Sequence, residues 1–147
     1  MRLMFLFIAP VIFFQFSCSN GSSGDMQKPV EMKDLPESFL SFYTEFHKDS
    51  AYQMAHIQWP LKGEKSKETE EGGSKKVLYV WEPEEWVVLH EPDMTDVGLK
   101  RSFETINDVL VIERLQYPMV NYGLERQFFK EENGEWTMIF YSEMQEL

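Results

Sequence analysis

The chain reads as an α+β protein in which N-terminal helices pack on an antiparallel sheet. Three observations carry that reading. Phe39, Phe42, Tyr43 and Phe46 recur at i, i+3, i+4 and i+7, one apolar stripe at helical period. Val109-Leu110-Val111-Ile112 is β-branched and continuously apolar, as in a strand buried on both faces. Asn133-Gly134 separates two strand-like runs, 124–132 and 135–144, and signals a hairpin because both central residues of the tight turn need φ > 0. Helices followed by a long-stranded sheet make an α+β layout.

Each element follows in order. Leu35-Pro36-Glu37-Ser38 opens the first helix, with Pro36 in the first turn, where its missing N–H costs nothing. Ser38, Ser41, Glu45 and Lys48 take the polar face, and the aromatic stripe opposite is core packing. Asp49 or Ser50 caps a second, shorter helix through His56. Ile57-Gln58-Trp59 is a strand that stops at Pro60. Residues 62–76 hold five Lys, four Glu and three Gly with no apolar residue among them, and read as a solvated, mobile loop too balanced to serve as an anion site. Residues 77–81 form a second strand, and Pro83-Glu84-Glu85-Trp86 begins a short helix that Pro92 stops. On the last strand Trp136, Met138, Phe140 and Met144 share one face, and Thr137, Ile139 and Tyr141 take the other. There is no internal repeat and no coiled-coil heptad.

Composition bounds the partners. A chain of 147 residues suits one domain, with room for a tail. Fourteen basic against 25 acidic residues give a net charge of -11, so nucleic acid is not an expected partner: no basic surplus exists to displace phosphate counterions. A single cysteine excludes an internal disulfide framework and a cysteine-rich zinc site. At 15% aromatic residues, wholesale disorder is not expected.

The first seventeen residues differ from the rest. Arg2 is their one charge, and the apolar run from Leu3 to Phe14 contains Pro10 and falls short of the roughly 20 residues a spanning helix needs. A charged start, a short apolar region and small residues after it describe a secretory signal peptide over 1–17. Cys18 sits where the apolar run stops, behind the small Ser17, and here the sequence resembles a bacterial lipoprotein precursor. That resemblance implies that Cys18 is acylated, becomes the first residue of the mature chain and anchors it in the lipid bilayer of the cell envelope. The implied place is the outer membrane, with the domain on its periplasmic or surface face. One acyl chain binds weakly, whereas two or more anchor stably. Ser-Asn-Gly-Ser-Ser-Gly over 19–24 is small and polar, so 18–33 reads as a flexible tether and 34–147 as the domain.

Leu35-Pro36-Glu37-Ser38-Phe39, Phe42-Tyr43, Phe46-His47-Lys48-Asp49, Trp59-Pro60-Leu61 and Asn133-Gly134-Glu135-Trp136 together resemble an uncharacterised family of bacterial lipoproteins, domain of unknown function 4348. The resemblance covers roughly residues 34–147. It implies a nuclear transport factor 2-like or cystatin-like cone, in which a curved sheet wraps around helices and leaves a pocket at its open end. The fold hosts isomerases, dehydratases and non-catalytic binding modules, so it does not settle function.

No chemical constellation stands out. No two of His47, His56 and His90 are spaced i, i+4, and no His-Glu-x-x-His motif occurs, so neither a metal nor another cofactor is expected. Glu82, Glu84, Glu85, Glu91, Asp93 and Asp96 do not match a calcium loop and read as solvated acidic surface. No nucleophile elbow or phosphate-binding loop is present, and no catalytic residue is assigned. The informative positions are polar residues inside apolar strands: Arg114 and Arg126 are candidates to orient an anionic ligand in a pocket walled by Trp59, Tyr79, Trp81 and Tyr141. Against that, each Arg makes an ordinary ion pair with a cross-strand Glu. The expected function is a non-catalytic, envelope-tethered module that binds a small molecule, glycan or protein. A cone-fold enzyme acting on an apolar substrate and a structural or assembly protein are the alternatives.

Overall fold

The structure, a computed structural model, describes residues 29–146. The predicted signal peptide, Cys18 and the predicted tether up to residue 28 lie outside the described residues. Two helices come first, α1 (Glu37–Lys48) and α2 (Ser50–Ala55). Six strands follow: β1 (Ile57–Glu68), β2 (Ser74–Trp81), β3 (Lys100–Ile106), β4 (Leu110–Tyr117), β5 (Tyr122–Lys130) and β6 (Trp136–Glu146). They form one curved sheet in the order β2-β1-β6-β5-β4-β3. The architecture is the α+β one the sequence predicts, with one correction: β1 runs parallel to β6, so the sheet is mixed and not antiparallel throughout.

The helices lie on one face of this sheet. The stripe Phe39, Phe42, Tyr43 and Phe46 is buried, as its spacing requires. Phe39 meets Phe128 and Trp136 edge-on at centroid distances of 5.4 and 5.1 Å, a geometry that aromatic quadrupoles favour. Asp49 caps α2, accepting from the N–H groups of Ala51 and Tyr52. Two residues of the segment read as tether contact the domain. The Val30 N–H donates to the Phe103 carbonyl at 2.9 Å, and Val30 and Met32 pack against the core.

The region 62–76 is a hairpin, not a loop. β1 runs through Pro60 to Glu68 and pairs with β2 from Leu61 opposite Trp81 to Glu68 opposite Ser74. Pro60 stands between Ile57 and Lys62, where the pairing of β1 with β6 shifts register, so its missing N–H breaks no ladder bond. The ladder itself asks for no apolar side chains, and charged residues on a solvated pair of strands hide that from a search for apolar alternation. β2 is an edge strand, with Lys75 opposite Lys67 and with Leu78 and Val80 exposed.

The Asn133-Gly134 hairpin forms, with a different turn. Glu131 N–H donates to Glu135 O at 2.8 Å and Gly134 N–H to Glu131 O at 2.9 Å. Of the Asn-Gly pair, Gly134 alone has positive φ, +88°, which makes a three-residue loop closed by a left-handed glycine. The pair with both φ values positive is Asn107-Asp108, between β3 and β4.

A second register shift decides which residues face the helices. Phe128 pairs with Met138 but Gln127 pairs with Phe140, leaving Ile139 as an extra residue. Trp136 and Met138 therefore share the helix face with Tyr141, while Phe140 moves to the outer face, correcting the simple alternation read from sequence. One row on the helix face crosses the whole sheet: Phe103, Glu113, Arg126, Tyr141, Gly63, Tyr79.

Gly63 is the narrow point of that row. A Cβ there would stand 1.8 Å from the Tyr141 carbonyl oxygen, which is backbone and cannot swing aside. Gly63→Ala is expected to lower stability by about 1–3 kcal/mol. Lys62→Ala, on the outer face, should stay within about 0.5 kcal/mol. Urea denaturation midpoints of the two variants check this, and equal midpoints would show that β1 can move away from β6 freely.

Candidate functional site

The helix face of the sheet carries a buried polar cluster and, beside it, an aromatic cleft.

The polar cluster joins α1 to the row across the sheet. Arg126, 3% exposed, lies opposite Glu113, which is fully buried. Its Nη1 donates to Glu113 Oε2 at 3.4 Å and to His47 Nε2 at 2.9 Å. His47 Nδ1 lies 2.9 Å from the Tyr43 carbonyl oxygen and must donate to it, which leaves Nε2 unprotonated as the acceptor for Arg126. Burial, reinforced by the Arg126 charge, holds the His47 imidazole below its ordinary pKa, so the ring is neutral. The Tyr43 hydroxyl donates to Glu113 Oε1 at 2.6 Å. Burial first and the Glu113 charge second push the Tyr43 phenol well above its ordinary range, which keeps the donor protonated. Each carboxylate oxygen of Glu113 thus has a donor. Arg126 Nε has no acceptor among the described residues.

The aromatic cleft lies on the β1–β2 side of Arg126. A cavity of about 230 Å³ is lined by Trp81, Trp86, Val87, Leu89, Tyr141, Glu85 and Glu143. Two elements place its walls. Trp81 and Tyr141 come from β2 and β6 on either side of Gly63, whose lack of a side chain makes room for both: Trp81 Nε1 lies 3.0 Å from where a Cβ at residue 63 would stand. Trp86 and Leu89 come from the connection after β2, which Gln53 of α2 holds in place. The Gln53 amide nitrogen donates to the carbonyls of Phe46 and Leu89, and its oxygen accepts from Trp86 Nε1 and the Leu89 N–H, all at 2.7–3.1 Å. Burial raises the Tyr141 phenol above its ordinary pKa, so it stays a neutral hydroxyl.

The six residues singled out from sequence fall in three places. Trp81 and Tyr141 line the cavity. Trp59 and Tyr79 stand behind it: Trp59 meets Trp86 edge-on at 5.7 Å, and Tyr79 meets Trp81 at 4.7 Å and donates to Glu85 at 3.0 Å. Arg126 is the cross-strand neighbour of Tyr141 but is engaged by Glu113 and His47. Arg114 is not at the cleft. It lies on the outer face, bonded to Glu125 at 2.8 Å and Glu104 at 2.9 Å, the cross-strand pairing that any strand arginine finds. Trp86, Gln53 and Glu113 are site residues that the sequence pattern does not single out. Glu113 lies between Ile112 and Arg114 in a strand, and alternation alone would have put it on the face opposite both. Nothing in the local sequence marks Gln53. Among the described residues no cluster of three or more His, Cys, Asp or Glu side chains is arranged to hold a metal ion.

The two arginines should differ sharply on mutation. Arg126→Ala leaves a buried carboxylate without its charge partner and is expected to cost about 3–5 kcal/mol. Arg114→Ala, on partly solvated pairs, should cost about 0–1 kcal/mol. Similar losses in chemical denaturation would show that the Glu113–Arg126 pair is not the tie inferred here. Protonation of the His47 ring opposes folding, because burial lowers its pKa. The unfolded chain binds a proton below about pH 6.5 that the folded chain resists, so stability is full above that pH and falls as pH drops below it. Thermal midpoints between about pH 7.5 and 5 should fall less for His47→Gln than for the parent chain; parallel curves would mean that another group titrates.

No protein-family model matches the chain, and no curated protein matches it. Solved structures do. A cystatin-like protein from Bacteroides caccae is similar at a TM-score of 0.57 and 19% identity, over 71% of this chain and 74% of the other. An NTF2-like protein from Bacteroides fragilis is similar at a TM-score of 0.51 and 15% identity, over 82% of this chain. The match takes in 51% of that second protein, so this chain spans about half its length. At such identities the likeness is one of fold: two helices on a curved mixed sheet, the cystatin-like or nuclear transport factor 2-like cone.

Proposed function

We propose that this chain is an envelope-anchored lipoprotein whose cone domain binds a ligand without chemically transforming it. The observation that carries the binding part is the cleft on the helix face, where Trp81, Trp86, Leu89 and Tyr141 wall a cavity of about 230 Å³. Apolar and aromatic walls with a few polar groups are the common composition of a small-molecule site. The cavity lies between β2, β6 and the connection after β2, beside the core that the helices fill. The anchoring part rests on the sequence around Cys18.

One observation speaks to the enzymatic alternative. Glu113 is a buried carboxylate on the helix face, the kind of group a cone-fold isomerase would use as a base. Both its oxygens are engaged, by Tyr43 and Arg126, and it does not line the cavity. A general base must reach the proton it abstracts within about 3 Å, or through one water. Glu113 serves better as the counter-charge of Arg126.

Two experiments test the two parts separately. Cys18→Ala should leave the domain folded but release it from the membrane fraction. If that variant still sediments with membranes after signal cleavage, the lipid anchor is refuted. A thermal-shift screen of the full chain against bile acids, steroids, glycans, short peptides, organic amines and divalent metals tests the cleft. A ligand at a hundredfold excess over Kd adds about 2.7 kcal/mol to native stability. The shift should disappear in Trp86→Ala. A ligand whose shift survives that change binds elsewhere, and the cleft is then not the site.

A further inference from the structure

The chemistry of the cleft points to the class of ligand, an inference that rests on the cleft being a binding site. We propose that it receives a methylated ammonium group, the head of a choline-like cation.

Four features converge. The rings of Trp81, Trp86 and Tyr141 are inclined to one another at 63°, 78° and 83°, with centroids 5.2–6.2 Å apart. Each pair packs edge to face, and all three residues line the cavity. The faces of such rings carry the negative part of their quadrupole, which attracts an organic cation. Both charged side chains that line the cavity are carboxylates, Glu85 and Glu143. Tyr79 donates to Glu85 at 3.0 Å and the Ser66 N–H to Glu143 at 2.8 Å, so hydrogen bonds orient both. Neither forms an ion pair with Lys or Arg among the described residues, so their charge is left for an incoming cation.

The same wing of the sheet already holds an ammonium group. Lys65 Nζ stands 3.5 Å from the centre of the Tyr79 ring and 5.9 Å from that of Trp81, so these rings accept a cation on the β2 side. Size and hardness narrow the class. The cavity is smaller than the roughly 300–1,000 Å³ of a site for a drug-sized ligand. It suits a head group. A hard metal ion wants about six to eight oxygens, and two carboxylates among indole rings do not supply them. Methyl groups on nitrogen instead match Leu89 and the aromatic walls, while the charge meets Glu85 and Glu143. The net charge of -11 draws such a cation toward the domain as a whole.

The test uses the full chain in a non-ionic, choline-free detergent. Choline, tetramethylammonium and the neutral tert-butyl analogue of choline are titrated by calorimetry, with tryptophan fluorescence alongside. The two cations should bind at least tenfold more tightly than the neutral analogue, which has the same shape without the charge. Glu143→Gln should weaken choline about tenfold and leave the analogue unchanged, and Trp86→Ala should abolish both. A soluble short-chain phosphocholine separates the sources of this chemistry: choline binding equally well indicates a free cation, and a tenfold preference for the phosphocholine indicates a lipid head group. If the neutral analogue binds as tightly as choline, the cation inference is overturned while the cleft remains a binding site. Should neither bind while another compound shows a Trp86-dependent shift, the cation inference alone fails. If no compound of any class depends on Trp86, the binding reading fails with it.

Discussion

Arg126 places a permanent positive charge on the helix face of a central strand, where it is almost wholly screened from water. Taking such a charge out of water costs several kcal/mol unless it is paired and hydrogen-bonded. That requirement explains much of what surrounds it. Glu113 supplies the counter-charge from β4, directly opposite. Glu113 in turn needs a second donor, which Tyr43 provides from α1. One helical turn on, His47 accepts from the guanidinium and is fixed in a single tautomer by the carbonyl of Tyr43. Tyr43 and His47 are four residues apart and so point from the same side of α1. The helix cannot slide along the sheet without breaking both contacts. The aromatic core supplies most of the apolar burial, and the polar cluster ties α1 to the sheet through Tyr43 and His47.

The cleft depends on the same row one strand further on. Tyr141 stands beside Arg126, and beyond it Gly63 leaves a gap where every other strand presents a side chain. Trp81 leans into that gap from β2. An α2 side chain, Gln53, then fixes the connection that brings Trp86 over the top, using both ends of its amide. The cavity is thus assembled from a missing side chain, a register shift in β6 and one buried amide, on elements far apart in the chain. Rigid support of this kind is what a site for a small group needs, because little ordering remains to be done when the ligand arrives.

Local order in the sequence made part of this legible. The α1 stripe, the Asp49 cap and the strand at 110–117 follow from side-chain period and capping chemistry within a few residues of one another. The cleft was half visible. Trp81 and Tyr141 could be named as aromatic residues in strands, but what brings them together is the register shift at Ile139, and a bulge leaves no mark in a hydropathy pattern. Arg114 and Arg126 looked alike because both interrupt apolar runs. They lie on opposite faces, and only the pairing of β4 with β5 separates them. The parallel pairing of β1 with β6 joins the first strand to the last, a contact between distant segments that no window of sequence contains. The hairpin at 62–76 was hidden for a different reason. Its stability comes from a backbone ladder, and its side chains advertise only solubility.

Those side chains have a consequence for how the molecules coexist. β2 offers an open row of N–H and C=O groups beside the exposed Leu78 and Val80, a combination that invites another strand. Near the tip Lys67 faces Lys75, with Lys76 next to it, so an identical edge approaching from a second molecule meets like charge. Strands pair about 4.8 Å apart, and at physiological ionic strength a charge is felt over about 8 Å. The repulsion therefore spans the distance at which pairing would occur. In molar salt the range contracts to about 3 Å, less than one strand spacing. The edge then loses its electrostatic guard, and two copies of β2 can approach to pairing distance.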